Sequence, residues 1–284
     1  TSIIKISDFF DIKVHDNLVI YYLNNRWFFM SFELITIPCL SDNYAFILFN
    51  NKSRSALLVD APEAEPINKV INQNNLNLEK IFITHHHSDH VDGLEKILQN
   101  RKAITIGAKA DIHRLPKLDQ YVEAGDTISF ENQTGYIFDV SGHTIGHIAL
   151  YFSSQNFLFS GDSLMALGCG RLFEGTAGQM WHSLSQLMDL PDATLICSGH
   201  EYTANNASFA LTINPENPDL IKRSEEVKLA RTKNLFTVPS TLELEKKTNP
   251  FLRPFDKNIR KNLNMIGSTD EEVFSKIRSL KDKF

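Results

Sequence analysis

A cluster of four histidines directly after an apolar run constrains this chain more than any other feature. Lys80–Thr84 has the apolar and β-branched residues of a strand, and the chain continues as His85-His86-His87-Ser88-Asp89-His90 before a helical pattern. Neutral imidazole and carboxylate are the side chains that bind zinc-like divalent ions. A solvated polar turn is the alternative, but it gives no reason for four histidines to stand together. The segment therefore predicts a metal site at the end of a strand.

The order of ligands within this cluster indicates two ions rather than one. In a loop, His85 and His87 alternate and can converge on a first ion, while Asp89 and His90, at the start of the following helix, turn toward a second. His86 is expected to point away from the ions or to support a ligand from behind. Two ions need more ligands than this loop provides, so further His or Asp residues are expected at other strand ends.

Three later strand ends supply such residues, each directly after a glycine that lets the backbone approach closely. They are His143, Asp162 and His200. A carboxylate can bridge two ions, and Asp162 is the candidate for that role. His147 begins the next strand, so it is expected to support a ligand or the fold rather than to bind an ion.

Asp60 stands at the end of another strand-like run, Ser55–Val59. Two interpretations remain open for it. Its carboxylate could accept a hydrogen bond from a ligand imidazole and so fix the orientation of that ring. It could equally begin the turn before Ala61-Pro62 and have no part in the site.

Short motifs along the chain resemble those of the metallo-β-lactamase superfamily. In chain order they are T-H-H-H-S-D-H, G-H-T-I-G-H, S-G-D-S and S-G-H-E-Y. Within that superfamily the chain is similar to the glyoxalase II (hydroxyacylglutathione hydrolase) family. That similarity rests on L-S-D-N-Y at Leu40–Tyr44, G-C-G-R-L-F-E-G-T at Gly168–Thr176, G-H-E-Y-T at Gly199–Thr203, and the C-terminal V-P-S-T-L, N-P-F-L-R and I-R-S-L-K-D-K-F. It extends from about Met30 to Phe284.

The resemblance implies that the ligands are divided between two divalent metal ions. Zinc is the expected metal, and iron and manganese are the alternatives. The first ion takes His85, His87 and His143, the second takes Asp89, His90 and His200, and Asp162 bridges them. The implied reaction is hydrolysis of S-D-lactoylglutathione, an S-2-hydroxyacylglutathione, to D-lactate and glutathione, the second step of methylglyoxal detoxification. A metal-bridging hydroxide is the implied nucleophile. Asp89 is expected to orient it and to accept its proton.

The resemblance also implies which side chains bind the glutathione part of the substrate. Arg171, Tyr202, Arg278 and Lys281 are expected to meet its carboxylates and peptide groups. Without the resemblance, the spacing of Arg278 and Lys281 would indicate only a solvated helix face. Some family members have tyrosine where this chain has Phe173, which lacks the hydroxyl. The backbone N–H of Phe173 is expected to serve in its place.

The composition of the chain indicates which classes of partner are disfavoured and which cellular compartment is favoured. The chain has 34 acidic and 29 basic residues, a formal net charge of −5, which disfavours a nucleic-acid-binding surface. The apolar stretch between residues 17 and 30 is interrupted by Asn24, Asn25 and Arg26 and is too short to span a membrane. The three cysteines form no C-x-x-C pair, which favours a reducing compartment. We therefore expect a cytoplasmic protein with no nucleic-acid or membrane partner. The resemblance implies a small-molecule glutathione thioester as its partner, and we expect a monomer.

Other functions are compatible with parts of this pattern. Within the superfamily the alternatives are a β-lactamase, a nuclease and a persulfide dioxygenase. A persulfide dioxygenase uses one iron, whereas this chain has candidates for a complete second set of ligands and the I-R-S-L-K-D tail. A non-catalytic module stabilised by metal is the alternative from another class, and metal content measured together with turnover separates it from an enzyme.

The resemblance implies the fold and the domain organisation. The expected fold class is α/β (α+β), an αβ/βα four-layer sandwich of two mixed sheets, followed by a smaller all-helical domain. The expected divisions are an N-terminal extension at 1–29, with Met30 as the native start, a catalytic domain at 30–203 and a helical substrate-binding domain at 204–284. The pattern of apolar residues supports only a strand-rich first part and a helical last part, with helices predicted at Asn205–Ile213, Asp219–Asn234 and Thr269–Leu280.

Overall fold

The computed structural model describes residues 2–7, 10–15 and 18–23 by their backbone, and residues 32–284 in full. The expected start at Met30 lies outside the described residues. By the density of its internal contacts the chain divides into two units. Unit 1 comprises Thr1–Ile137 and Phe152–Gln155, and unit 2 comprises Phe138–Tyr151 and Asn156–Phe284. The predicted boundary after residue 203 remains a prediction.

Unit 1 contains a mixed sheet of nine strands, whose order across the sheet is the same as their order in the chain. Its strands are β1 (Ser2–Ser7), β2 (Phe10–His15), β3 (Leu18–Leu23), β4 (Phe32–Cys39), β5 (Asn43–Asn50), β6 (Ser55–Val59), β7 (Asn77–Phe82), β8 (Ile104–Ala108) and β9 (Gln120–Val122). The strands from β1 to β6 pair antiparallel, and those from β6 to β9 pair parallel. Because β6 and β7 are parallel neighbours, the loops that follow them leave the same edge of the sheet.

The described part of unit 1 contains three α-helices: α1 (Ala64–Gln73), α2 (Ser88–Val91) and α3 (Leu94–Leu98). Strands β5 and β6 are buried almost throughout, as expected of strands covered on both faces. Helix α1 buries Ala64, Ile67, Val70 and Ile71, which share one face at helical spacing. The sequence pattern from Val91 to Asn100 favours one helix, whereas the structure has two short ones. They separate near Gly93, where a Cβ would lie only 2.8 Å from the Ala61 carbonyl oxygen.

A second mixed sheet has six strands in the order β10–β11–β12–β13–β16–β17. They are β10 (Thr127–Phe130), β11 (Gln133–Asp139), β12 (Ile148–Phe152), β13 (Phe157–Gly161), β16 (Leu195–Ser198) and β17 (Ser240–Thr241). The strands β14 (Leu164–Met165) and β15 (Gly168–Cys169) form a hairpin that is a separate two-stranded sheet. Strands β13 and β16 are parallel, with Gly161 opposite Ser198, so the residues that follow them emerge at one edge.

Six helices belong to unit 2. They are α4 (Ala177–Leu187), α5 (Thr203–Ile213), α6 (Pro218–Thr232), α7 (Leu242–Thr248), α8 (Lys257–Asn262) and α9 (Asp270–Lys281). Helices α4 and α9 both begin with a capping box, at Thr176 with Gln179 and at Thr269 with Glu272. Their apolar faces enclose a core that includes Met180, Leu184, Phe251, Phe274 and Ile277. Residues 201–284, which contain α5 to α9, are called the C-terminal helical region below.

Each of the three cysteines is a buried free thiol. Burial raises the pKa of Cys39 to about 12 and that of Cys169 to about 11, and it raises the pKa of Cys197 well above its ordinary value. None of the helices in the described part of the chain is both long enough and apolar enough to cross a membrane.

Candidate metal centre

Unit 1 gathers the histidine cluster at the end of β7. His85 Nε2 and His87 Nδ1 lie 3.1 Å apart, and the ring centroids of His85 and His90 are 4.1 Å apart. Two nitrogens bound to one tetrahedral zinc ion at about 2.0–2.1 Å would be about 3.3 Å apart. The separation of the His85 and His87 nitrogens therefore fits a shared cation. Asp89 Oδ2 lies 3.8 Å from His90 Nε2, within the range for a second group of ligands.

The buried carboxylate of Asp60 is hydrogen-bonded to Thr84 and to the candidate ligand His90. Its Oδ1 accepts the backbone N–H of Thr84 at 2.8 Å, and its Oδ2 accepts the Thr84 hydroxyl at 2.9 Å. Its Oδ2 also lies 2.8 Å from His90 Nδ1. A carboxylate can only accept here, so Nδ1 of His90 carries the hydrogen and its Nε2 has the lone pair that a metal needs. Asp60 adopts a φ of +59°, in the left-handed region.

The Thr84 hydroxyl extends this arrangement to a second histidine. Because its own hydrogen goes to Asp60, its oxygen accepts from Nδ1 of His85, 3.0 Å away. That bond leaves Nε2 of His85 as the basic nitrogen. One buried carboxylate therefore sets the tautomer of His90 directly and that of His85 through Thr84. Both rings present Nε2, the atom expected to bind metal.

In unit 2 the two candidate histidine ligands, His143 and His200, both lie close to one carboxylate oxygen of Asp162. Asp162 Oδ2 lies 3.5 Å from His143 Nε2 and 3.2 Å from His200 Nε2. Asp162 follows β13 and His200 follows β16, and the Gly199 N–H donates to the Gly161 carbonyl at 2.9 Å, which fixes the two loops side by side. These separations again match those of ligands that share a cation. The donor set of each unit, imidazole and carboxylate, suits zinc, iron or manganese.

Two backbone contacts fix the orientation of this second group. His143 Nδ1 lies 2.8 Å from the Arg171 carbonyl oxygen, so that nitrogen donates and Nε2 carries the lone pair. His147 Nε2 accepts the backbone N–H of Asp162 at 3.0 Å. His147 is therefore placed as a support of the Asp162 loop.

The candidate substrate residues lie in unit 2 with differing exposure. Phe173 is 61% exposed and Tyr202 is 40% exposed, and the Tyr202 ring stacks on His200 at 4.6 Å. Arg171 is exposed, with its guanidinium 5.6 Å from the centre of the Phe173 ring. Lys281 Nζ contacts the side-chain oxygen of Asn205.

Phe173 and Arg278 have hydrogen-bond partners within unit 2 that bear on two of the alternatives considered from the sequence. The backbone N–H of Phe173 donates to the His143 carbonyl at 3.2 Å, so it is already used within the fold and does not replace a tyrosine hydroxyl. Arg278 is only 5% exposed. Its guanidinium donates to the Cys169 carbonyl at 2.9 Å and to Asp282 Oδ1 at 2.9 and 3.2 Å. The solvated helix face is thus excluded for Arg278.

Comparison with known proteins decides the family. The model of the metallo-β-lactamase superfamily matches residues 43–200, and that of the hydroxyacylglutathione hydrolase C-terminus matches residues 201–284. Hydroxyacylglutathione hydrolases from Roseobacter denitrificans and Ruegeria pomeroyi are 54% and 51% identical over 255 residues, which is 90% of this chain and the whole of each relative. The chain belongs to the glyoxalase II family.

Solved structures support the same fold at much lower identity. The B3 metallo-β-lactamase BLEG-1 has a TM-score of 0.61 at 20% identity, covering 78% of this chain and 99% of its own. ETHE1 from Myxococcus xanthus has a TM-score of 0.61 at 22% identity, covering 88% of this chain and 90% of its own. The fold is therefore that of the metallo-β-lactamases, with two mixed sheets and a C-terminal helical region, as the sequence predicted.

Within this glyoxalase II chain, sequence reasoning missed two polar residues that contact candidate ligands. Asn43 Nδ2 donates to the backbone carbonyl of Asp89 at 3.1 Å and to its carboxylate at 3.0 Å. Thr84 links Asp60 to His85. Both residues stand inside motifs that were recognised, L-S-D-N-Y and T-H-H-H-S-D-H, but a buried asparagine or threonine is too common to indicate a role without coordinates.

Proposed function

We propose that this protein hydrolyses S-2-hydroxyacylglutathione thioesters, with S-D-lactoylglutathione as the substrate, to a 2-hydroxy acid and glutathione. The observation that carries the proposal is the 54% identity to a hydroxyacylglutathione hydrolase over that relative's full length. The match includes the C-terminal helical region, which has its own family model. The lactamase and ETHE1 structures share the fold at 20–22% identity and carry no argument about the substrate.

The proposed metal centre contains two divalent ions. His85, His87 and His143 would hold one divalent ion, Asp89, His90 and His200 would hold the other, and Asp162 would bridge them. We propose zinc as the metal, with iron and manganese as alternatives to be separated by elemental analysis. Two such ions, when bound, polarise a carbonyl and lower the pKa of water, which supplies a nucleophile at neutral pH.

The protein's own residues would orient these components and hold the substrate. Asp60 keeps His85 and His90 in the tautomers that offer Nε2, and the Arg171 carbonyl does the same for His143. Asp89, whose carboxylate accepts from Asn43, would accept a proton. Arg171, Tyr202, Arg278 and Lys281 would bind the glutathione part. The leaving thiolate needs no protein acid, since the pKa of a thiol is moderate.

Turnover of two matched thioesters tests this proposal. The metal-loaded protein is assayed with S-D-lactoylglutathione and with the same acyl group on a small thiol that lacks the glutathione carboxylates. We expect hydrolysis of both, with kcat/KM higher for the glutathione ester by at least about tenfold, because one lost carboxylate contact is worth about 1.5–3 kcal/mol. A protein that contains two metal ions and hydrolyses neither ester would refute the assignment.

The affinity for the glutathione ester is also expected to fall at alkaline pH. Burial, together with the positive charge of Arg278, lowers the pKa of Lys281 to about 8. The side chain is therefore about nine-tenths protonated at pH 7 and about one-tenth at pH 9. If Lys281 binds a substrate carboxylate as a cation, KM should rise severalfold across this interval. Initial rates measured over a range of ester concentrations at each pH give KM and kcat separately.

The Lys281→Arg variant is the matched control for this pH effect. Arginine remains charged throughout, so the rise in KM between pH 7 and 9 should flatten. The ester without carboxylates should show no such rise in either protein. An equal rise in KM for the wild type and for Lys281→Arg would exclude Lys281 as the titrating group.

We further propose that the protein acts as a cytoplasmic monomer. Three buried cysteines without a disulfide fit a reducing compartment. Light scattering of the purified protein tests the monomer.

A further inference from the structure

The β14–β15 hairpin of unit 2 lies between two candidate metal-site groups along the chain. It begins two residues after Asp162 and ends two residues before Arg171, whose carbonyl oxygen bonds to His143. Its turn is buried, and Leu167 in that turn has a φ of +56°. A leucine in this left-handed region costs on the order of 1–2 kcal/mol, so other contacts must hold the turn in place.

Side chains of the C-terminal helical region hold the turn by its backbone. The Leu167 N–H donates to Glu245 Oε2 at 2.8 Å, Asn249 Nδ2 donates to the carbonyls of Gly168 and Met165 at 2.9 and 3.2 Å, and Asn206 Nδ2 donates to the carbonyl of Ala166 at 3.0 Å. Every residue from Met165 to Gly168 is therefore bonded to this region through a backbone group. Such a set of contacts fixes the turn more firmly than packing of apolar side chains alone.

Glu245 is the charged centre of these contacts and is fully buried. Its Oε1 accepts from Arg223 Nη2 and from the Ser240 hydroxyl, and its Oε2 accepts from Leu167 and from Asn249 Nδ2. Arg223, itself only 3% exposed, supplies the compensating positive charge. Four donors thus converge on one carboxylate. A neutral amide in its place would direct an NH₂ group at groups that are themselves donors.

The residues that follow β15 lead from the fixed turn to a hydrogen bond with His143. The Gly170 N–H donates to the Ser163 carbonyl at 3.0 Å, and a Cβ on Gly170 would lie 1.9 Å from the Asp162 carbonyl oxygen, so only glycine allows the chain to pass this close to Asp162. The next residue, Arg171, offers the carbonyl oxygen that accepts from His143 Nδ1 at 2.8 Å. The turn at Leu167 is thus four residues along the chain from the carbonyl that accepts from His143.

We propose that Glu245 is a positioning residue, which holds the β14–β15 hairpin so that the Arg171 carbonyl keeps His143 oriented with Nε2 toward the metal. The inference rests on the proposed function in that His143 is taken as a metal ligand. It gives the C-terminal helical region a second role beside substrate binding. That region would set the geometry of a ligand that lies outside it, through a buried carboxylate that contacts neither metal nor substrate.

The test replaces Glu245 by glutamine in the full chain. Metal affinity, measured by competition with a chelator, and kcat should each fall about tenfold to a hundredfold, as they do when a supporting contact of a metal ligand is lost, while KM stays nearly constant. The ring N–H signal of His143 in the ¹H–¹⁵N spectrum, assigned with a His143→Asn variant, should shift or broaden. If Glu245→Gln proves insoluble, Glu245→Asp keeps the charge but shortens the reach to Leu167, and the same changes are expected.

Asn217→Ala is the matched control. Asn217 caps α6 and donates to the Lys247 carbonyl, in the same region, but none of these hydrogen bonds goes to a backbone group of the hairpin. It should lower Tm without changing metal affinity, kcat or the His143 signal. If Glu245→Gln behaves like Asn217→Ala, Glu245 is merely structural and the proposal is overturned. The chelator titration and the ring signal involve no substrate, so they remain decisive even if the wild type fails on the glutathione thioester.

Discussion

Replacing Asp162 by asparagine is expected to lower kcat/KM for the glutathione thioester by about a hundredfold to a thousandfold and to reduce the bound metal below two equivalents. Oδ2 of Asp162 lies 3.2–3.5 Å from the Nε2 atoms of both His143 and His200. A carboxylate there offers negative charge to two cations at once. An amide of the same shape offers none and has only one oxygen. Elemental analysis of the purified variant, together with steady-state kinetics, measures both effects.

The loss should follow from the charge and not from unfolding. The backbone N–H of residue 162 still donates to His147 in the variant, so the loop keeps its anchor. Asp189→Asn is the matched control, because Asp189 is exposed in the same unit. It should retain full metal content and activity. Two equivalents of metal and wild-type turnover in Asp162→Asn would rule out the bridging role.

Gly170→Ala should be strongly damaging although it adds only one methyl group. The added Cβ would lie 1.9 Å from the Asp162 carbonyl oxygen and 3.1 Å from His143 Nδ1, so a backbone segment beside the candidate ligands has to move. We expect a loss of about 1–3 kcal/mol in the free energy of unfolding from the overpacking. We also expect a drop of about a hundredfold in kcat/KM, since a displacement of about 1 Å is enough for that. Denaturant unfolding and kinetics measure the two effects separately.

Gly267→Ala provides the comparison for this substitution. A Cβ at Gly267 meets nothing within 4 Å, and the residue does not adopt a positive φ. The substitution should leave activity unchanged and should alter stability little, or raise it slightly by restricting the unfolded chain. Equal effects of the two alanines would contradict the steric argument at Gly170.

The sequence predicted a strand-rich first part, a helical last part and the strand ends that carry candidate ligands, because these follow from local patterns. The fold class itself was implied by the family resemblance. Apolar runs such as Phe157–Ser160 have the length of strands, and a His or Asp directly after a strand and a glycine leaves a sheet edge whatever the rest of the chain does. The assignment of those residues to two ions came from family resemblance and remains a prediction. Asp60 had two interpretations, and its bonds to Thr84 and His90 became visible only with coordinates.

Several helices were missed or misplaced for physical reasons that local patterns do not reveal. Helix α4 had a signal, since Thr176 and Gln179 have the spacing of a capping box, but its face mixes Met180 and Leu184 with small polar residues. Helix α7 begins Leu-Glu-Leu-Glu, an alternation that resembles a strand. The break near Gly93 arises from contact with Ala61, more than thirty residues earlier, which no local pattern contains.

The candidate substrate residues Arg278 and Lys281 show the same limit of prediction from local patterns. From sequence, Arg278 and Lys281 are two cations three residues apart on one helix, and nothing distinguishes them. The structure buries Arg278 against the Cys169 carbonyl and Asp282, and leaves Lys281 beside Phe209 and Phe284 with a lowered pKa. These differences depend on the tertiary packing of α9, so spacing along the chain could not predict them.

The burial of all three cysteines has a consequence for a catalyst that releases a thiol. Thiol–disulfide exchange needs a thiolate that a partner disulfide can reach. With their pKa values raised to about 12, to about 11 and well above 9, Cys39, Cys169 and Cys197 are essentially uncharged near neutral pH, and each is enclosed by the fold. In the folded chain these three thiols are therefore poorly reactive toward mixed-disulfide formation with oxidised glutathione, the oxidised form of the released thiol.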